Sequence, residues 1–162
     1  MGLIINKSIP MFVKGYPTVS DKYNVAGAVL TGTAPAEFGQ LVKFSATKGY
    51  FEAITAAVTA ADIAGFVVGT NVKLVDGFPG TEVKVQPGEA FNLLINGFIA
   101  IELTASAKEA DIKANSDVKL VLADGTLTTS SVSAGTATLP GVVFTGLYEK
   151  HGETIFAEVY VK

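Results

Sequence analysis

Few residues in this chain have types and spacings that suit chemistry. Ser-x-x-Lys occurs twice, at Ser45…Lys48 and Ser116…Lys119. On a helix that spacing carries a lysine amine towards a serine hydroxyl, as in a serine acyl-transferase. Both copies fall instead in segments patterned as strand or turn, and the partner motifs Ser-Asp-Asn and Lys-Thr-Gly occur nowhere. Neither serine is therefore expected to be a nucleophile. His151 is the single histidine and sits in a Lys-His-Gly-Glu turn. One histidine without cysteine needs several well-spaced carboxylates to hold zinc, and no such set surrounds it. Glu82, Glu89 and Glu102 flank the central strands. A glycosidase needs two carboxyls facing one cleft, whereas solvated charges at strand edges discourage edge pairing and are the simpler expectation. Asp76-Gly77 and Asp124-Gly125 read as hairpin turns rather than calcium loops, since no EF-hand spacing accompanies them. Phosphate-loop and dinucleotide fingerprints are lacking. The sequence predicts no enzyme, no cofactor and no metal.

Composition narrows the partners. The chain has 162 residues and a net charge of −3, and all twelve basic residues are lysine. A basic footprint for nucleic acid is missing, and so is arginine, the residue suited to bidentate phosphate and guanine contacts. Cysteine is absent, so disulfides and thiolate sites are impossible. Half of the residues are hydrophobic and only 17% are charged, against about a quarter in ordinary domains. Such a chain keeps little charged surface or covers part of it with a partner. The opening Met1–Gly15 stretch has no basic region followed by a long apolar one, so neither a signal peptide nor a membrane span is expected.

The elements that must position these residues read as strands. Val83 and Val85 alternate with Lys84 and Gln86, Pro87-Gly88 is a turn, and Phe91–Ile95 is an apolar run of strand length. Asn96-Gly97 is a two-residue hairpin signal, with Phe98–Leu103 as the returning strand. Earlier, Val25–Thr33, Phe38–Phe44 and Tyr50–Ile54 read as strands, with Lys48-Gly49 as a turn. Thr59 and Asp62 have the spacing of a capping box. Ile63–Val72 is strongly β, and its Gly65 and Gly69 suggest bulges or close backbone approach. Ser106–Asn115 carries a second capping-box spacing and is expected to hold one or two helical turns. Val118–Leu122 and Thr126–Ser130 pair across Asp124-Gly125. Ser131–Pro140 reads as a long mobile loop, and Val142–Tyr148 with Thr154–Val161 forms a last hairpin. The expected fold is all-β, a compact sandwich or barrel of about ten short strands with an irregular N-terminal arm. The expected division is an N-terminal segment over 1–24 and one β domain over 25–162. Ile9, Met11, Phe12, Val13, Tyr16, Pro17 and Tyr23 give that segment its apolar content. It either lies over its own domain or docks on a neighbouring subunit.

The order of features carries a resemblance. Gly15-Tyr16-Pro17 and Ser20-Asp21 precede a small-residue stretch to Gly32. Phe38-Gly39-Gln40-Leu41-Val42 follows, then Ile63-Ala64-Gly65-Phe66-Val67. Pro87-Gly88-Glu89-Ala90-Phe91-Asn92-Leu93-Leu94 and Gly97-Phe98-Ile99-Ala100-Ile101-Glu102 complete the series. Over most of its length the chain resembles the structural cement, or head decoration, proteins of tailed bacteriophages. The resemblance implies a protein made in the host cytoplasm and added to the outside of an assembled capsid in the virion. It implies a homotrimer bridging major capsid protein subunits, without nucleic acid or membrane partners. The seven apolar residues of the N-terminal segment are then the candidates for capsid or subunit contact. A small non-catalytic ligand- or glycan-binding β-module of a tail or fibre is the alternative. The lack of tryptophan and the scattered tyrosines count against it.

Overall fold

The computed structural model describes residues 14–18, 23–69 and 84–162. Eleven strands run through them: β1 (Asn24–Thr31), β2 (Ala36–Glu37), β3 (Leu41–Phe44), β4 (Tyr50–Ala53), β5 (Ile63–Val68), β6 (Lys84–Val85), β7 (Ala90–Glu102), β8 (Asp117–Val121), β9 (Leu127–Thr128), β10 (Thr136–His151) and β11 (Thr154–Val161). The fold is all-β, as the turn-punctuated sequence predicts. Short 3-10 turns at Ala60–Asp62 and Glu109–Asp111 are the helical pieces among the described residues.

Strands β1-β4-β3-β5-β7 form a sheet that closes on itself, because β7 also pairs with β1. The result is a five-stranded barrel. One seam is parallel, β1 against β4 with Val29 opposite Tyr50; the other barrel pairings are antiparallel. A second, antiparallel sheet continues from β7 through β11, β10 and β8 to β9. β2 and β6 make a separate two-stranded ribbon.

β7 belongs to both sheets. Its first half pairs with β1 from Ala90 to Asn96 and with β5 at Asn92 and Leu93. Its second half pairs with β11 from Gly97 to Glu102. The hairpin expected at Asn96-Gly97 therefore does not form. Each flanking run finds its own partners, so the chain need not turn back. Gly97 instead takes a φ of 131° within the continuous strand, open to glycine because it has no Cβ.

Two cores follow from this sharing. Inside the barrel lie Leu30, Val42, Val67, Val85, Phe91 and Leu93. Between the barrel and the second sheet lie Phe66, Leu94, Ile99, Ile101, Leu120 and Phe144. Successive residues of β5 and β7 point to opposite faces, and each face meets apolar side chains. That is why Ile63–Val68 and Phe91–Ile101 are nearly continuous hydrophobic runs.

Two local expectations change. Thr136–Pro140 is not loop but the start of β10, with Thr136, Ala137 and Thr138 opposite Val121, Leu120 and Lys119 of β8; a strand partner outweighs a Ser/Thr/Gly-rich composition. The Ser106/Glu109 capping box does not form. Ser106 bonds the Thr104 hydroxyl instead, and the turn begins after Lys108. Of the strand expected around Val83 and Val85, Lys84–Val85 forms β6, while Val83 and the turn at Asp76-Gly77 lie outside the described residues. By contrast, Thr59 and Asp62 do form their capping box.

Candidate functional site

Residues 14–18 lie along the outer edge of β7. The Gly15 amide donates to the Ala100 carbonyl at 2.8 Å, and the Ala100 amide donates to the Tyr16 carbonyl at 3.2 Å. Pro17 forms an antiparallel bridge with Ile99, and the Thr18 amide reaches the Phe98 carbonyl at 3.4 Å. On the barrel side the Gly69 amide donates to the Gly15 carbonyl at 2.7 Å. Five residues thus join β7 to the end of β5.

Glycine makes the join possible. Gly15 and Gly39 both have positive φ, and their backbones are in contact. The Tyr16 ring lies across Gly69, where a Cβ would fall 2.6 Å from the ring, and meets Phe38 edge-on with centroids 5.9 Å apart. The Tyr16 hydroxyl is buried without a hydrogen-bond partner, and burial raises its pKa. The Thr18 hydroxyl oxygen is likewise buried and unpartnered.

Lys14 is the polar end of this segment. Its ammonium lies 3.0 Å from Glu37 and 2.9 Å from Glu102, and Lys84 approaches Glu37 at 3.2 Å. Burial by itself lowers the Lys14 pKa, but the hydrogen bonds to Glu102 and Glu37 outweigh it and raise the pKa above its ordinary value. Burial raises that of Glu37, and Lys14 with Lys84 overcomes it, so the carboxyl stays below its ordinary value. A cavity of about 270 Å³ opens beside Lys14, between Gln40, Glu102 and the Asp124-Gly125 turn.

The seven apolar candidates divide three ways. Tyr16 and Pro17 pack against their own barrel and β7. Tyr23 is exposed just before β1. Ile9, Met11, Phe12 and Val13 lie outside the described residues. Further exposed apolar residues have no simple sequence signal. Ile95 is 51% exposed because the register between β1 and β7 slips there, pairing Val25 with Leu94 and Asn24 with Asn96. Val25 beside it is also exposed. Phe44, 59% exposed, leans on Phe51 at the turn end of the β3–β4 hairpin, and Leu147 is 53% exposed on β10.

Those groups suited to chemistry that fall among the described residues are engaged in local structure; Glu82 and Asp76 lie outside them. The Ser45 hydroxyl donates to Glu52 at 2.8 Å, and the Ser116 hydroxyl faces the Asp111 and Lys113 carbonyls, so neither meets a lysine amine. Glu89 accepts the Gln86 amide, and Asp124 accepts from Thr126 within its turn. His151 lies 3.2 Å from Glu149 and edge-on to Phe156. Among the described residues no cluster of His, Cys, Asp and Glu is placed to hold a metal, and no helix is long and apolar enough to cross a membrane.

A closed barrel thus shares a strand with a second sheet, the 14–18 segment is strapped along β7 and the end of β5, and isolated apolar side chains are exposed. Comparison with known proteins gives the family. Residues 5–157 match the phage family described as structural cement protein (E217 gp24/Pam3 gp6). The chain belongs to that structural cement protein family. In fold it is similar to a chain of the solved structure "The capsid of Myoviridae Phage XM1". The TM-score is 0.68 at 18% identity, covering 100% of this chain and 97% of that one. No curated protein matches it in sequence.

Proposed function

We propose that the protein binds the outside of an assembled phage capsid and stabilises it by bridging major capsid protein subunits, acting as a homotrimer in the virion after synthesis in the host cytoplasm. The observation that carries this reading is the family match across residues 5–157. The mechanism needs no reacting residue. A protein that binds the assembled shell but not free subunits stabilises the shell by its binding free energy, which grows with the logarithm of its concentration over Kd. A modest gain at each site, repeated over a lattice, resists the pressure of packaged DNA.

The contact surface in this reading is apolar and lies near the N-terminus. Ile9, Met11, Phe12 and Val13 supply an apolar arm. Tyr23 stands exposed where the chain enters β1. Tyr16 and Pro17 hold the root of that arm on the barrel. Low charge over the whole chain suits surface that is covered in the assembly.

Co-sedimentation with purified expanded shells of the matching phage tests the proposal. The full chain should pellet with shells and raise their disassembly temperature. A chain lacking residues 1–13 should stay folded, because Lys14 and the β7 contacts remain, and should bind shells at least tenfold more weakly. Absence of shell binding by the full chain would overturn the proposal.

A further inference from the structure

We propose that Glu158 receives a cationic side chain of a major capsid subunit, in an aromatic-rimmed recess on the outer face of the second sheet. The inference rests on the cement reading above and names the chemistry of one contact. Glu158 is the one buried charged residue among the described residues, at 5% exposure. It belongs to neither core. Side chains alternate along β11, and Ile155, Ala157 and Val159 face the core, so Phe156, Glu158 and Tyr160 face outward. Opposite them on β7 stand Glu102, Ala100 and Phe98. Ala100 is fully buried, whereas Phe98, Phe156 and Tyr160 are half-buried. Glu158 therefore lies low between taller rings. On its other side residues 145–147 of β10 bulge opposite Glu158 alone, and Leu147 stands exposed there.

The Glu158 carboxylate has no hydrogen bond or ion pair with any described residue. The polar groups around it are engaged elsewhere. Lys14 pairs with Glu37 and Glu102, and His151 lies against Glu149. The Thr145 hydroxyl donates to the Glu158 backbone carbonyl at 3.3 Å, not to the carboxylate. A buried carboxylate without a partner is costly in the free protein. A cation delivered from outside offsets that cost on binding, which is the charge complement the recess lacks. Its rim selects the kind of cation. The Phe98 and Tyr160 rings lie 4.8 Å apart with a tilt of 32°, and Phe156 stands two residues from Glu158 on the same face. Aromatic faces beside a carboxylate suit a guanidinium, which stacks on rings and bonds a carboxylate with two N–H groups. This chain has no arginine and a net charge of −3, so a second copy is the poorer source.

Glu158→Gln in the full chain tests the contact, with Glu153→Gln as a control that removes the same charge from the exposed β10–β11 turn. In the free protein Glu158→Gln should melt no lower than the wild type, because the charge it removes is buried and unpartnered. A lower melting temperature shows that the carboxylate is already engaged within the chain and overturns the proposal. Co-sedimentation with purified expanded shells of the matching phage should weaken at least tenfold for Glu158→Gln and stay unchanged for Glu153→Gln. Equal shell binding by Glu158→Gln and the wild type overturns the proposal. So does a change in solution mass on Glu158→Gln, which places the cation on a second copy. Those outcomes leave the cement reading standing, since the wild type still binds shells. A wild-type chain that fails to bind shells brings down that reading and this contact together.

Discussion

Gly15 and Gly39 meet backbone to backbone: a Cβ built on Gly15 falls 2.3 Å from the Gly39 amide nitrogen, and one built on Gly39 falls 2.7 Å from that of Gly15. Neither distance is open to a side chain. The strap and the barrel can approach this closely only where both residues are glycine, and both also have φ near +80°, a region that L side chains avoid. The approach brings the Gly15 carbonyl to the Gly69 amide and the Tyr16 ring onto Gly69.

Gly15→Ala should therefore cost more than about 2 kcal/mol, combining left-handed strain with a clash against backbone. Gly88→Ala is the control, because Gly88 has a similar φ of +89° with open space around it. It should cost about 1–2 kcal/mol from strain alone. Urea denaturation of the two variants measures the difference, and equal costs would show that the close approach contributes nothing.

Gly69→Ala should expel the Tyr16 ring, since backbone strain is not at issue there and the obstacle is the ring itself. The expected loss is on the order of 2 kcal/mol, the burial of one large side chain. In a Tyr16→Ala background the same substitution should cost almost nothing, and a double-mutant cycle reads that coupling. Tyr16→Phe should be neutral or stabilising by up to about 1 kcal/mol, because it removes a buried hydroxyl that has no partner.

The Lys14 cluster should make the strap sensitive to pH at both ends of the scale. Glu37 has a folded pKa below its ordinary 4.5. Its contribution is thus present above pH 4.5 and lost as pH falls through the folded value. Lys14 has a folded pKa above its ordinary 10.5, so its contribution is present below 10.5 and lost as pH rises through the folded value. Both side chains are partly exposed, which limits the pairing to about 1 kcal/mol. Thermal melts of Lys14→Met against the wild type should differ between these limits and converge beyond them.

Ile95→Lys should leave the melting temperature within a few degrees of the wild type, since the side chain is half exposed and surface changes usually stay within about 0.5 kcal/mol. It should nevertheless lower shell co-sedimentation, because Ile95 bulges beside Val25 at the entry to β1, where the proposed contact surface lies. Unchanged co-sedimentation would remove Ile95 from the interface.

The sequence alone determined the class and the turns. Period-2 runs broken by Lys48-Gly49, Asp124-Gly125 and the Lys150-His151-Gly152 corner specify strands, and glycines at 49, 125 and 152 do take positive φ. The Thr59–Asp62 box is equally local, since its hydrogen bonds are made within four residues. The tertiary structure decided which strands pair. Asn96-Gly97 has the composition of a hairpin, yet it lies mid-strand because β1 and β11 take up the two halves of β7. Thr136–Pro140 has the composition of a loop, yet β8 draws it into the sheet. The strap depends on three glycines, at 15, 39 and 69, that come together only after the barrel closes, and Ile95 is exposed only because one register slips against another. Turn preference is set by φ and ψ over two or three residues, whereas partner choice is set by long-range burial; only the first can be read along the chain.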